Sequence, residues 1–93
     1  MAMRPEEKKH ASHDLEKSHE LVLLNDEVNS FEYVIDNLVT HCGHEPERAE
    51  QCAIIAHHNG ECDVLLGTPE EVSMPASKLI NAGLTIDVRK LDK

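Results

Sequence analysis

The chain has 93 residues, 40% of them apolar, with one Phe, one Tyr and no Trp, which fits one small domain whose core is built from aliphatic side chains and alanine. Eighteen acidic residues against nine basic ones give a formal net charge of -9; this disfavours nucleic acid phosphates and anionic membranes as partners and favours a basic surface or an ammonium group. No run approaches the ~20 apolar residues of a membrane span and the charged N-terminus has no hydrophobic signal segment, so the cytoplasm is the expected compartment.

Residues 1–20 carry Leu15 as their only large aliphatic side chain after the initiator region, too little apolar surface to offset the entropy of ordering. They are expected to form a flexible tail ahead of a core at 21–93. Leu21-Val22-Leu23-Leu24 is a short apolar run stopped by Asn25-Asp26, the pattern of a buried strand. Phe31, Val34, Ile35, Leu38 and Val39 then fall on one stripe of an amphipathic helix. Asn29 is its expected N-cap, with Glu32 as capping-box partner, and Gly43 its C-cap. A second helix opens on Pro46 with acids in its first turn. Its stripe is Ala49, Cys52, Ala53 and Ala56, widened by Ile54 and Ile55, and Asn59-Gly60 closes it.

Cys62, Val64, Leu65 and Leu66 predict a second strand. Thr68-Pro69-Glu70-Glu71 supplies a cap, a first-turn proline and a capping-box glutamate for a third helix. Pro75, inside that helix, predicts one turn, a break, and a main helix over about 74–82, ended by Gly83. Leu84, Ile86 and Val88 alternate with Thr85, Asp87 and Arg89, as in a half-buried closing strand. The order β-α-α-β-α-β gives an α+β domain, a small three-stranded antiparallel sheet packed on three helices.

Polar residues that bear on chemistry fall in three places, and each admits a structural reading beside a chemical one. His41, Cys42 and His44 lack the paired ligand units of a structural zinc site and equally suit a solvated helix end. His57 ends the second helix, where an imidazole often bonds a backbone carbonyl. Asn25 and Asp26 serve turns and caps as readily as ligands. Cys42, Cys52 and Cys62 are odd in number and singly spaced, which fits reduced thiols better than a disulfide framework. No nucleophile motif or phosphate loop is present, so catalysis is not indicated.

The stretch from Leu23 to Leu38, followed by Ala56-His57-His58-Asn59-Gly60 and then a strand, a helix and a closing strand to Leu91, resembles the ClpS family of adaptors for the Clp protease. The likeness lies in an Asn-Asp-acid signature after the first strand, an aromatic or Met with Glu-aromatic-Val at the start of the next helix, and a His-x-x-Gly closing the second, all in order and at matching separation. The resemblance implies a monomeric adaptor without cofactor or metal, and no enzyme. Such an adaptor captures N-degrons, proteins that begin with a large hydrophobic residue, and passes them to the N-terminal domain of a ClpA- or ClpC-type AAA+ ATPase.

Carried over by position, the resemblance implies that Asn25, Asp26 and His57 accept hydrogen bonds from the substrate's α-amine. It likewise implies that Phe31, Val34, Ala53, Ala56 and Ile86 wall the pocket for its first side chain, and that Glu70 meets the ATPase. Charge-assisted bonds to an ammonium contribute ~1.5–3 kcal/mol each, and burying a Leu or Phe contributes roughly as much. Histidine accepts only when neutral, so binding is expected to weaken below a pH of about 6.5. Phe31 stands where the family usually has Met, and Asn29-Ser30 where Thr-Pro is common, so the pocket mouth is bulkier. The acid and lysine downstream of Glu70 in relatives are replaced here. Two other readings stand beside this one: a regulator that docks on the ATPase without reading N-degrons, and a metal-binding enzyme built on His57, His58 and the cysteines.

Overall fold

The computed structural model describes residues 17–91, so the expected N-terminal tail lies outside the described residues apart from 17–20. The elements are β1 (His19–Leu24), α1 (Phe31–Cys42), α2 (Pro46–Asn59), β2 (Glu61–Gly67), α3 (Pro69–Asn81) and β3 (Ile86–Lys90). The sheet has the order β2-β1-β3, with both pairings antiparallel. This is the α+β architecture that the sequence predicts, except that β1 begins two residues before the expected core boundary.

The central position of β1 goes with its composition, because a strand paired on both sides leaves little of its own surface to water: Leu21, Val22 and Leu23 are all at most 3% exposed. Leu21 and Leu23 point into a core shared with Val34, Leu38, Ala53, Ala56, Val72 and Leu79 from the three helices. Val22 faces the other way, between its cross-strand neighbours Asp63 and Asp87, and is nevertheless fully buried. On the strands either side, Arg89 of β3 forms two 3.0 Å bonds to Glu61 of β2 and one to Asp87. Pairing with Arg89 holds the Glu61 carboxyl below its usual range. A register shift between Leu21 and Val22 skips Val64, letting Val64 as well as Leu65 approach the core.

The helices begin and end largely where local chemistry directs, with three corrections. The N-cap of α1 is Ser30, whose hydroxyl accepts from the Tyr33 N–H at 3.1 Å; Asn29, the expected cap, is drawn into the preceding loop. Ile54 and Ile55 do not widen the α2 stripe; both are exposed, and the buried face is Ala49, Cys52, Ala53 and Ala56 alone. Small residues there let α2 lie close to α1 and the sheet. Third, α3 runs unbroken through Pro75. Its Thr68–Glu71 capping box and the buried stripe Val72, Ala76 and Leu79 anchor the helix on both sides of the proline, and that packing outweighs the one missing hydrogen bond.

Strand β3 starts at Ile86, so Leu84 is buried in the turn before it, and Val88 near the sheet edge is exposed. Gly83 adopts a left-handed φ of 94° after α3, a conformation that favours glycine. Among the described residues no helix is long and apolar enough to cross a membrane.

Candidate functional site

Between the loop that leaves β1 and the C-terminal half of α2 lies a cleft of about 410 Å3. It is lined by Leu23, Leu24, Asn25, Asp26, Glu27, Asn29, Phe31, Val34, Ala53, Ala56 and His57. Its geometry follows from three local facts. Strand β1 ends where its side chains turn polar, α1 starts seven residues later, and α2 brings small residues to the facing wall.

The loop is built around the Asp26 carboxylate. One oxygen accepts from the N–H groups of Val28 and Asn29, both at 3.0 Å. The other accepts from the Asn29 amide at 3.1 Å and the Thr85 hydroxyl at 3.2 Å. Burial by itself raises the pKa of Asp26, but the hydrogen bonds from Asn29, Val28 and Thr85 together outweigh it and hold the carboxyl below its usual range. The Asn29 amide also donates to the Gly83 carbonyl at 3.0 Å, and the Tyr33 hydroxyl to the Ala82 carbonyl at 2.6 Å. These bonds fasten the loop to the end of α3. On the other side, the Asn25 N–H donates to the Gly60 carbonyl at 2.9 Å, tying the loop to the turn after α2 that carries His57.

This arrangement separates two acids that the sequence places side by side. Asp26 faces the cleft, yet its lone pairs are largely spent on its own loop. Glu27 lines the same cleft and is exposed, as are Asn25 and His57. The side-chain acceptors open to an incoming donor are thus Asn25, Glu27 and a ring nitrogen of His57. Glu27 stands in the sequence as the acid of the Asn-Asp-acid signature, but the resemblance implies the amine-binding role for Asp26 and not for it.

Below these acceptors the cleft becomes apolar. Phe31 stands at the rim, 44% exposed, and its ring meets the His57 imidazole edge-on. Val34, Ala53, Ala56 and Leu23, all buried, form the floor and far wall. Of the expected pocket residues, Ile86 is the one outside this lining; it pairs with Leu23 across β1 and β3 and packs against the core. Leu23 and Leu24, which sequence periodicity reads only as strand, take part instead. Glu70 lies in the first turn of α3, exposed and apart from the cleft.

The His and Cys residues at the end of α1 are not gathered into a centre. His44 is buried and its Nε2–H donates to the Val64 carbonyl at 2.9 Å, fixing that tautomer. Among the described residues no group of three or more His, Cys, Asp or Glu side chains is placed to hold a metal ion.

Comparison with known proteins adds to this geometry. The family model described as ATP-dependent Clp protease adaptor protein ClpS matches residues 14–86. No curated protein matches the chain in sequence. Among solved structures, that of Agrobacterium tumefaciens ClpS2 bound to L-phenylalaninamide is similar, with a TM-score of 0.77, 18% identity, and coverage of 81% of this chain and 98% of that one. At that identity the likeness speaks for the fold alone, whereas the family match spans most of the chain and includes both walls of the cleft: the chain belongs to the ClpS family of Clp protease adaptor proteins.

Proposed function

We propose that this protein is a monomeric cytoplasmic adaptor, without catalytic activity of its own, that captures proteins bearing a large hydrophobic first residue and a free α-amine and delivers them to a Clp ATPase for degradation. The observation that carries this reading is the pairing, in one cleft, of three open acceptors with an aliphatic floor. An α-ammonium offers three donors, and Asn25, Glu27 and His57 offer three acceptors at the cleft mouth. Asp26 acts with them by holding the loop in place and by adding negative charge behind it. The first side chain of the substrate enters between Phe31, Val34, Ala53 and Ala56, with Leu23 beneath. The structural relative, ClpS2, has as its ligand a phenylalanine amide, which carries both a free amine and an aromatic side chain.

Delivery requires a second surface. The exposed first turn of α3, with Glu70, is the proposed contact with the N-terminal domain of a ClpA- or ClpC-type ATPase. The decisive experiment is a titration with peptides that differ only in their first residue, each free and N-acetylated. A free Leu- or Phe-starting peptide is expected to bind, and its acetylated form to lose at least ~100-fold in affinity, because acetylation removes the charge and leaves the acceptors unpaired. Equal affinity for both forms would overturn the reading. It would favour instead a regulator that docks on the ATPase without reading N-degrons.

A further inference from the structure

Cys52 of α2 and Cys62 of β2 are directed at one backbone oxygen. Both thiols donate to the Asp63 carbonyl, at 3.8 and 3.4 Å, so the two sulfurs converge on a single acceptor. Both line a cavity of about 380 Å3 on the α2–β2 side of the molecule, outside the cleft described above. Cys62 is half-buried and reachable through it, whereas Cys52 is buried. The third cysteine, Cys42, is absent from that lining. We propose that Cys52 and Cys62 form an oxidisable dithiol, a modification site for peroxide-class oxidants, whose product is a disulfide that staples α2 to β2.

The chemistry is balanced with hydrogen peroxide as the oxidant. The Cys62 thiolate attacks one peroxide oxygen; the O–O bond breaks, hydroxide leaves, and Cys62 becomes a sulfenic acid. The Cys52 sulfur then attacks the Cys62 sulfur. The S–O bond breaks, and the departing hydroxide takes the Cys52 proton to leave as water. Two thiols and one peroxide yield one disulfide and two waters. Burial, and after it the neighbouring Cys62 thiol, push the Cys52 thiol up, which keeps it protonated at rest and assigns the first attack to Cys62. Closing the bond brings the two sulfurs to about 2.05 Å, from positions on the one Asp63 carbonyl that both now share. Ala53, next to Cys52, and Ala56, one turn on, wall the cleft, so the staple fixes that wall to the sheet.

The test uses the full chain treated with stoichiometric hydrogen peroxide, alkylated, and digested with trypsin. The fragment 49–78 contains both Cys52 and Cys62, and 18–48 contains Cys42. The expected result is a 49–78 fragment that has lost two hydrogens and takes up no alkylating reagent, beside a Cys42 fragment that alkylates normally. In Cys62→Ser, Cys52 should remain open to alkylation once the chain is unfolded. The oxidised wild type should melt about 5 °C above the reduced protein. Full alkylation of Cys52 and Cys62, a cross-link to Cys42, or a fall in Tm on oxidation would each overturn the proposal. None of these readouts depends on what the cleft binds, so this inference and the proposed function fail separately.

Discussion

The ring of Phe31 meets the imidazole of His57 edge-on, with centroids 5.5 Å apart and planes at 89°. The contact joins the first residue of α1 to the last turn of α2 and so spans the mouth of the cleft. Phe31 is also where the chain departs from the Met more usual in the family it belongs to.

This contact makes Phe31 a determinant of binding more than of stability. Phe31→Ala removes one wall and the edge-on partner of His57, and is expected to lower affinity for a Leu-starting peptide about tenfold, or about 1.4 kcal/mol. Because the ring is 44% exposed, its loss should move the urea midpoint little. Calorimetric titration beside a denaturation curve checks both halves.

Glu27→Gln separates the two neighbouring acids. It keeps the size and polarity of the side chain but removes the charge at the cleft mouth, so affinity for a free α-amine should fall at least ~10-fold while Tm stays within about 1–2 °C. An undiminished affinity, measured by fluorescence anisotropy, would return the amine-binding role to Asp26.

Asp26→Ala should act mainly through the fold. It removes the acceptor of the Val28 and Asn29 N–H groups and of the Thr85 hydroxyl, of which the exposed donors turn to water, so the expected loss is about 1 kcal/mol of stability. The pH dependence has a definite sign. The folded-state carboxyl titrates below its unfolded value, so its contribution is fully present above the ordinary carboxylate range and is lost as pH falls through the depressed folded value. Acid unfolding curves for wild type and Asp26→Ala should therefore converge at low pH.

Two substitutions in α3 test how that helix survives its proline. Thr68→Ala breaks the capping box with Glu71 and should cost about 1 kcal/mol. Pro75→Ala restores an N–H toward the Glu71 carbonyl and relieves the ring clash, and should stabilise the protein by about 1–3 kcal/mol. Thermal melts measure both, and neither change should alter peptide affinity.

Much of this molecule is written locally. Gly43, Gly60, Pro46 and the Thr68–Glu71 pair act within a few residues of themselves, so the starts and stops of the helices could be read before any contact was known. The apolar run of β1 and the alanine stripe of α2 likewise announced their burial. Asn25, Phe31, Val34, Ala53, Ala56 and His57, which the family resemblance implied by position, line one cleft.

Tertiary structure decided matters in which two nearby residues competed for one role. Asn29 and Ser30 are both good caps, and Ser30 prevails because the Asn29 amide is held by Asp26 and by Gly83, 54 residues further along the chain. Asp26 and Glu27 are both carboxylates beside the cleft, and Thr85, reaching back from the opposite end of the domain, helps fix which of them is consumed by the loop. Ile86 and Leu23 are both apolar strand residues and pair with each other, yet Leu23 lines the cleft and Ile86 does not. Pro75 should have broken α3, and packing of Val72, Ala76 and Leu79 overrides it. In each instance a contact distant in sequence contributes more free energy than the local preference it displaces, and only the folded chain brings such contacts together.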